Sequence, residues 1–100
     1  MTDWLTVVDE QSTLVSRMTR DVPKALRDPN LTLDIASKVG DLVSKGARDY
    51  YTLYDRMQQD PSCTSLVDTA ATLKGVWSGL ALMAANRIRA IQGMSPVTLN

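Results

Sequence analysis

Few residues in this chain could do chemistry. Histidine is absent from all 100 positions, which removes the usual general base, the common zinc and haem ligand, and every Ser-His or Cys-His nucleophile arrangement. Cys63 is the single cysteine, so thiolates cannot build a structural zinc site or an iron–sulfur cluster. The glycines Gly40, Gly46, Gly75, Gly79 and Gly93 are scattered and form no phosphate-binding loop. Carboxylates remain. Asp34, Asp41, Asp49 and Asp55 recur along one segment, but a di-iron carboxylate site needs Glu-x-x-His pairs and Glu10 is the sole glutamate. These aspartates read as the solvated side of a helix. Asp34 with Lys38, Asp41 with Lys45 and Lys45 with Asp49 are spaced four apart, and each such pair contributes about 0.2–0.5 kcal/mol. The expectation is a chain that is not an enzyme and needs no metal and no cofactor.

Binding residues are easier to nominate. Arg17, Arg20, Lys24 and Arg27 repeat at three- and four-residue steps and form a basic stripe if Pro23 does not turn the chain away. A second candidate lies in "GARDYYTLYDRMQQDPS", residues 46–62. Tyr50 and Tyr54 share a stripe with Leu53 and Met57, whereas Tyr51 projects about 100° away and is expected to be exposed between Arg48 and Asp55. Exposed tyrosines and arginines are enriched at protein interfaces. Arg48, Tyr51, Asp55 and Arg56 are therefore a candidate partner-binding set, alongside the Arg17–Arg27 stripe. Trp4 either joins an interface or closes one end of the core. Cys63 precedes the expected third helix, where backbone N–H groups can lower a thiol pKa. No resolving cysteine or base accompanies it, so a passive loop residue is expected.

The elements that position these residues are helical. Apolar residues at Trp4, Val7, Val8, Leu14, Val15, Met18 and Val22 mark an amphipathic helix, with Thr2 and Asp3 as N-cap and dipole-compatible acid and Pro23 as a candidate kink or break. "DPN" at 28–30 is a turn. A second stripe joins Ile35, Val39, Leu42, Val43, Gly46, Tyr50, Leu53, Tyr54 and Met57, capped by Thr32 with Asp34 in the first turn. Unbroken, that helix is roughly 40 Å long at about 1.5 Å per residue. Pro61 ends it, and Thr64 or Ser65 is expected to cap a third helix running to Gly93. The third helix has apolar residues on more than one stripe, so it should contact neighbours on two sides. The predicted fold class is all-α: an antiparallel up-down bundle of three long helices, or four if the second breaks at Gly46. Residues 1–93 are expected to form one domain and 94–100 a tail.

Composition agrees with this. The apolar share of 44% and charged share of 22% are ordinary for a soluble domain that buries its own core. Eleven basic and eleven acidic residues cancel, so no global field favours nucleic acid or direct membrane insertion. The most apolar stretch, 76–91, is interrupted by Asn86, Arg87 and Arg89. "MTDWLTVVDE" carries acids where a secretory signal has basic residues, and so reads as mature chain.

"DYYTLYDRMQQDPS" followed by "SLVDTAATLKGVWSGL" resembles the second half of the small helical-bundle proteins attached to the lumenal side of photosystem II. Those proteins carry an aromatic-basic run that ends a helix, then a turn, then a Ser-led helix with alanine–leucine spacing. The likeness covers roughly residues 49–80, with Ser78-Gly79-Leu80 standing where Gly-His-Tyr is expected and without the basic doublet. The resemblance implies a non-catalytic extrinsic subunit or assembly factor of the thylakoid lumen, docked on a membrane complex. Trp77-Ser78-Gly79 is also similar to the Trp-x-Gly turn of small secreted helical hairpins, but apolar spacing continues on both sides, so an in-helix position is expected. The expected function is a protein-binding subunit of a larger complex. The alternative is a small-ligand carrier or regulatory module with an apolar pocket among Tyr50, Tyr54, Trp77 and Met83.

Overall fold

The computed structural model describes residues 3–96. Three long helices are present: α1 (Trp4–Leu26), α2 (Leu33–Gln58) and α3 (Val67–Ile91), with a short 3₁₀ segment, Pro61–Leu66, leading into α3. Among the described residues there is no strand. The all-α bundle of three helices is the observed fold.

Local chemistry explains the helix boundaries. Asp3 caps α1, its carboxylate accepting from the Thr6 backbone N–H at 3.2 Å and the Thr6 hydroxyl at 2.7 Å. Thr2, expected as the cap with Asp3 as the acid beside it, lies outside the described residues. Pro23 does not end α1, which continues to Leu26. So near the C-terminus the proline forfeits only one backbone hydrogen bond. The helix end is also held from outside: Arg87 of α3 donates from Nε to the Leu26 carbonyl at 2.8 Å and from Nη2 to the Asp28 carbonyl at 3.2 Å. Thr32 caps α2 through the Ile35 N–H at 3.2 Å, as expected. The helix passes Gly46 without a break.

The start of α3 differs from expectation. Neither Thr64 nor Ser65 caps it; Leu66 precedes α3 with no side-chain cap. Helical geometry begins earlier, at Pro61, with Asp60 accepting from the Ser62 N–H at 2.9 Å. A proline at the first helical position costs nothing in hydrogen bonding, so Pro61 both stops α2 and starts the next turn. At the far end Gly93, at φ +75°, closes α3: the Met94 N–H bonds the Arg89 carbonyl at 2.7 Å and the Gly93 N–H the Ala90 carbonyl at 3.1 Å. Trp77-Ser78-Gly79 lies inside α3.

α3 is the shared wall. Both α1 and α2 pack along it, while α1 and α2 touch each other much less. The core joins Trp4, Val8, Val15, Met18, Val22 and Leu26 of α1 to Val43, Ala47, Tyr50 and Met57 of α2 and to Ala70, Leu73, Trp77, Leu80 and Ala84 of α3. The buried face of α2 keeps most of the expected stripe, since Val43, Tyr50 and Met57 are buried and Val39, Leu53 and Tyr54 pack against the core, but two of its members do not join it. Ala36, Val43, Ala47 and Tyr50 are buried, whereas Ile35 is 50% exposed and Leu42 59% exposed. Small residues let two helix backbones approach closely. Gly40 meets Ile88 of α3 and Gly46 meets Trp77, while Leu42 stands out beside Leu14 and Met18 of α1.

Candidate functional site

The tyrosine cluster is mostly architecture. Tyr50 is fully buried and its hydroxyl donates to the Ala70 carbonyl of α3. Burial, and secondarily the neighbouring Tyr54, pushes its phenol up to about 12. The Tyr54 ring lies 6.3 Å from that of Tyr50 at an interplanar angle of 43°. Tyr51 is not the exposed outlier expected. It is half-buried on the α2–α3 seam, with its hydroxyl 2.7 Å from Ser78 Oγ. The same rotation of α2 that exposes Leu42 carries Tyr51 inward. Lys74 Nζ stands 4.6 Å from the Tyr54 ring centroid and 6.0 Å from that of Tyr51.

The set Arg48, Tyr51, Asp55 and Arg56 is therefore divided. Arg48 and Asp55 are exposed, three residues before and four after Tyr51, on the same side of α2 as that tyrosine. Arg56 lies on the opposite flank, its guanidinium 5.7 Å from the centre of the Trp4 ring. Trp4 itself is buried and closes one end of the core, with Nε1 donating to Asp60 Oδ2 at 2.6 Å. That bond, followed by those from Ser62, holds the Asp60 carboxyl below its ordinary value. Beside it Cys63 is buried, and burial together with the Asp60 charge pushes its thiol up. A raised pKa makes the thiol inert, contrary to what a helix start alone would do.

The basic stripe is intact. Because α1 is continuous through Pro23, Arg17, Arg20 and Lys24 project from one helix with Arg27 at its cap, and all four are exposed. Arg20 Nε pairs with Asp21 Oδ1 at 2.9 Å, which lowers the Asp21 carboxyl. Both partners are solvated, so the pair adds little stability. On α2 Lys38 holds Asp34 at 3.2 Å and Lys45 holds Asp49 at 3.0 Å, in preference to the expected pairing with Asp41.

Between α1 and α2 runs an open groove that the sequence did not announce. One hollow of 390 Å³ is lined by Leu14, Met18, Val22, Ala25, Val39 and Leu42, with Arg17 and Asp21 at the rim. A second, of 200 Å³, shares Leu14, Met18 and Leu42 and is floored by Gly46 and the Trp77 ring. The two form one trough. Leu14, Met18, Val22, Val39 and Leu42 lie on the stripes expected to face the core. The readable signal was a second stripe on α2, Ala36-Gly40-Ala47, competing with Ile35-Val39-Leu42 for the inner face.

The expected carrier pocket is not assembled. Tyr50 and Trp77 are solidly packed, whereas Met83 is 42% exposed and faces a different hollow with Pro23, Leu26 and Arg27. Among the described residues no charged side chain is buried, no cluster of Cys, Asp and Glu could hold a metal ion, and no helix is long and apolar enough to cross a membrane. Compared with family models, curated proteins and solved structures, the chain matches none of them.

Proposed function

We propose that this chain is a non-catalytic subunit or assembly factor that docks on a larger protein complex. One observation carries the reading: Leu42, 59% exposed, lines a trough whose α1 wall carries Arg17 of the basic stripe, and Ile35 on the same helix is 50% exposed. Large apolar residues kept at the surface in a row, rimmed by charge, are characteristic of interaction sites. Arg17, Arg20, Lys24 and Arg27 supply electrostatic steering toward an acidic surface. Arg48 and Asp55 remain candidates for a secondary contact on the opposite flank.

The resemblance of residues 49–80 to lumenal helical-bundle proteins makes an extrinsic or assembly subunit of photosystem II, in the thylakoid lumen, the named example of this reading. The experiment is retention of detergent-solubilised thylakoid complexes on the immobilised protein, with the components identified by mass spectrometry. Photosystem II polypeptides retained by the wild type and released by the charge-reversed R17E/R20E/K24E variant support it. Retention of no large complex, or retention indifferent to charge reversal, sinks it.

A further inference from the structure

We propose that the trough between α1 and α2 seats one additional helix, supplied by a partner protein, with an apolar stripe that fills the trough and an acidic flank that faces α1. This inference rests on the docking reading above and specifies the partner's chemistry.

The packing calls for a helix. α1 and α2 each pack along α3 and touch each other much less, which leaves the trough open between them. A helix laid there would complete a four-helix arrangement, in which each helix packs on two neighbours at interaxial distances of about 8–10 Å. Among the described residues no strand exists whose edge an extended peptide could join. The lined length, residues 14–25 of α1, spans about 17 Å at 1.5 Å per residue, or roughly three helical turns. That length offers anchors at i, i+3 or i+4, and i+7.

The charges choose the flank. Lys38 and Lys45 on the α2 side are already held by Asp34 and Asp49. Asp21, at the α1 rim, is held by Arg20. Arg17 at the rim and Lys24 two turns on form no ion pair among the described residues, and with Arg20 they outnumber Asp21 along this stretch of α1, so the α1 side of the trough is net positive. A second copy of this chain fits poorly. It would bring the same concave face and the same basic rim, leaving both troughs unfilled and setting like charges together.

The test uses the full chain and designed probes: fluorescein-labelled 16-residue helical peptides with one leucine stripe, flanked by either glutamates or lysines. Anisotropy titration should show the Glu-flanked peptide binding about tenfold or more tightly than the Lys-flanked one, with the difference shrinking as salt rises. Leu42→Asp, at an exposed position that folding does not need, should weaken binding about tenfold or more, with helicity and melting unchanged. R17E/K24E should reverse the preference between the peptides. In an amide and indole NMR spectrum, the Trp77 indole N–H should shift on binding while the Trp4 indole N–H, at the far end, stays put. Absence of Glu-peptide binding, equal affinity for both peptides, or indifference to Leu42→Asp overturns the proposal. So does concentration-dependent dimerisation that Leu42→Asp abolishes, which would make the occupant a second copy. If the peptides fail while R17E/R20E/K24E still releases the thylakoid complex, the docking reading stands and only the helical occupant falls.

Discussion

The ring of Trp77 lies directly against the backbone of Gly46. A Cβ placed on Gly46 would come within 2.7 Å of Trp77 Cζ3, closer than real Cβ contacts allow, and Trp77 is only 1% exposed. The glycine that might have broken α2 is thus the notch that admits the largest side chain of the core.

Gly46→Ala should therefore destabilise the protein by about 1–3 kcal/mol, because overpacking outweighs the roughly 1 kcal/mol that alanine adds to a helix interior. Gly75 and Gly79 have nothing within 4 Å of a Cβ, so the same substitution there should stabilise by about 0.5–1 kcal/mol each. Urea denaturation of the three variants checks the opposite signs. A stabilised Gly46→Ala would contradict the notch.

The bond from Trp4 Nε1 to Asp60 makes stability pH-dependent. The native carboxyl titrates below its ordinary value of 3.8, so its contribution is present above that value and is lost as pH falls below it through the lowered native value. Asp60→Asn should lower the melting temperature at neutral pH, and the gap to wild type should narrow on acidification below pH 3.8. Thermal melts across that range decide it. A gap that stays constant would show that the charge is irrelevant.

Tyr50 acts at the other end of the scale. Its phenol is raised from 10.0 to about 12, so the native state holds the proton that the unfolded chain releases, and stability falls as pH rises from 10.0 toward 12. Absorbance titration of tyrosinate should show one tyrosine ionising late, and Tyr50→Phe should abolish that step. The same variant should cost about 0.5–1.5 kcal/mol at neutral pH through the lost bond to Ala70. Three tyrosines titrating together would refute the burial argument.

Arg87→Ala should destabilise by about 1–3 kcal/mol, because it frees the carbonyls of Leu26 and Asp28 at the end of α1. Arg48→Ala, at an exposed position, should stay within about 0.5 kcal/mol. Chemical denaturation of the pair distinguishes an arginine that ties two helices together from one that only faces solvent.

The helices were legible because their signals are local. Apolar steps of three and four, the cap at Thr32, the turn at 28–30 and the stop at Gly93 each involve neighbouring residues, and the structure places helix ends at or near them. The candidate site was legible only in half. The basic stripe of α1 survives because charged side chains on one continuous helix are solvated wherever that helix packs. The expected exposure of Tyr51 failed because its surroundings come from a distant segment, Ser78 on α3, and the Trp4 ring beside Arg56 was likewise invisible in the local sequence.

The sequence by itself determined three amphipathic helices, the chemistry they lack, and a row of basic residues along the first. Which face of α2 turns inward was decided only by tertiary packing. Two apolar stripes compete there, and periodicity favours the bulkier one. Gly46 meets Trp77 and Gly40 meets Ile88, Ala36 and Ala47 are buried, and Ile35 and Leu42 are left outside. The contact of Gly46 with Trp77 depends on a ring from α3 finding a glycine on α2, a relationship between residues 31 positions apart that no local pattern carries.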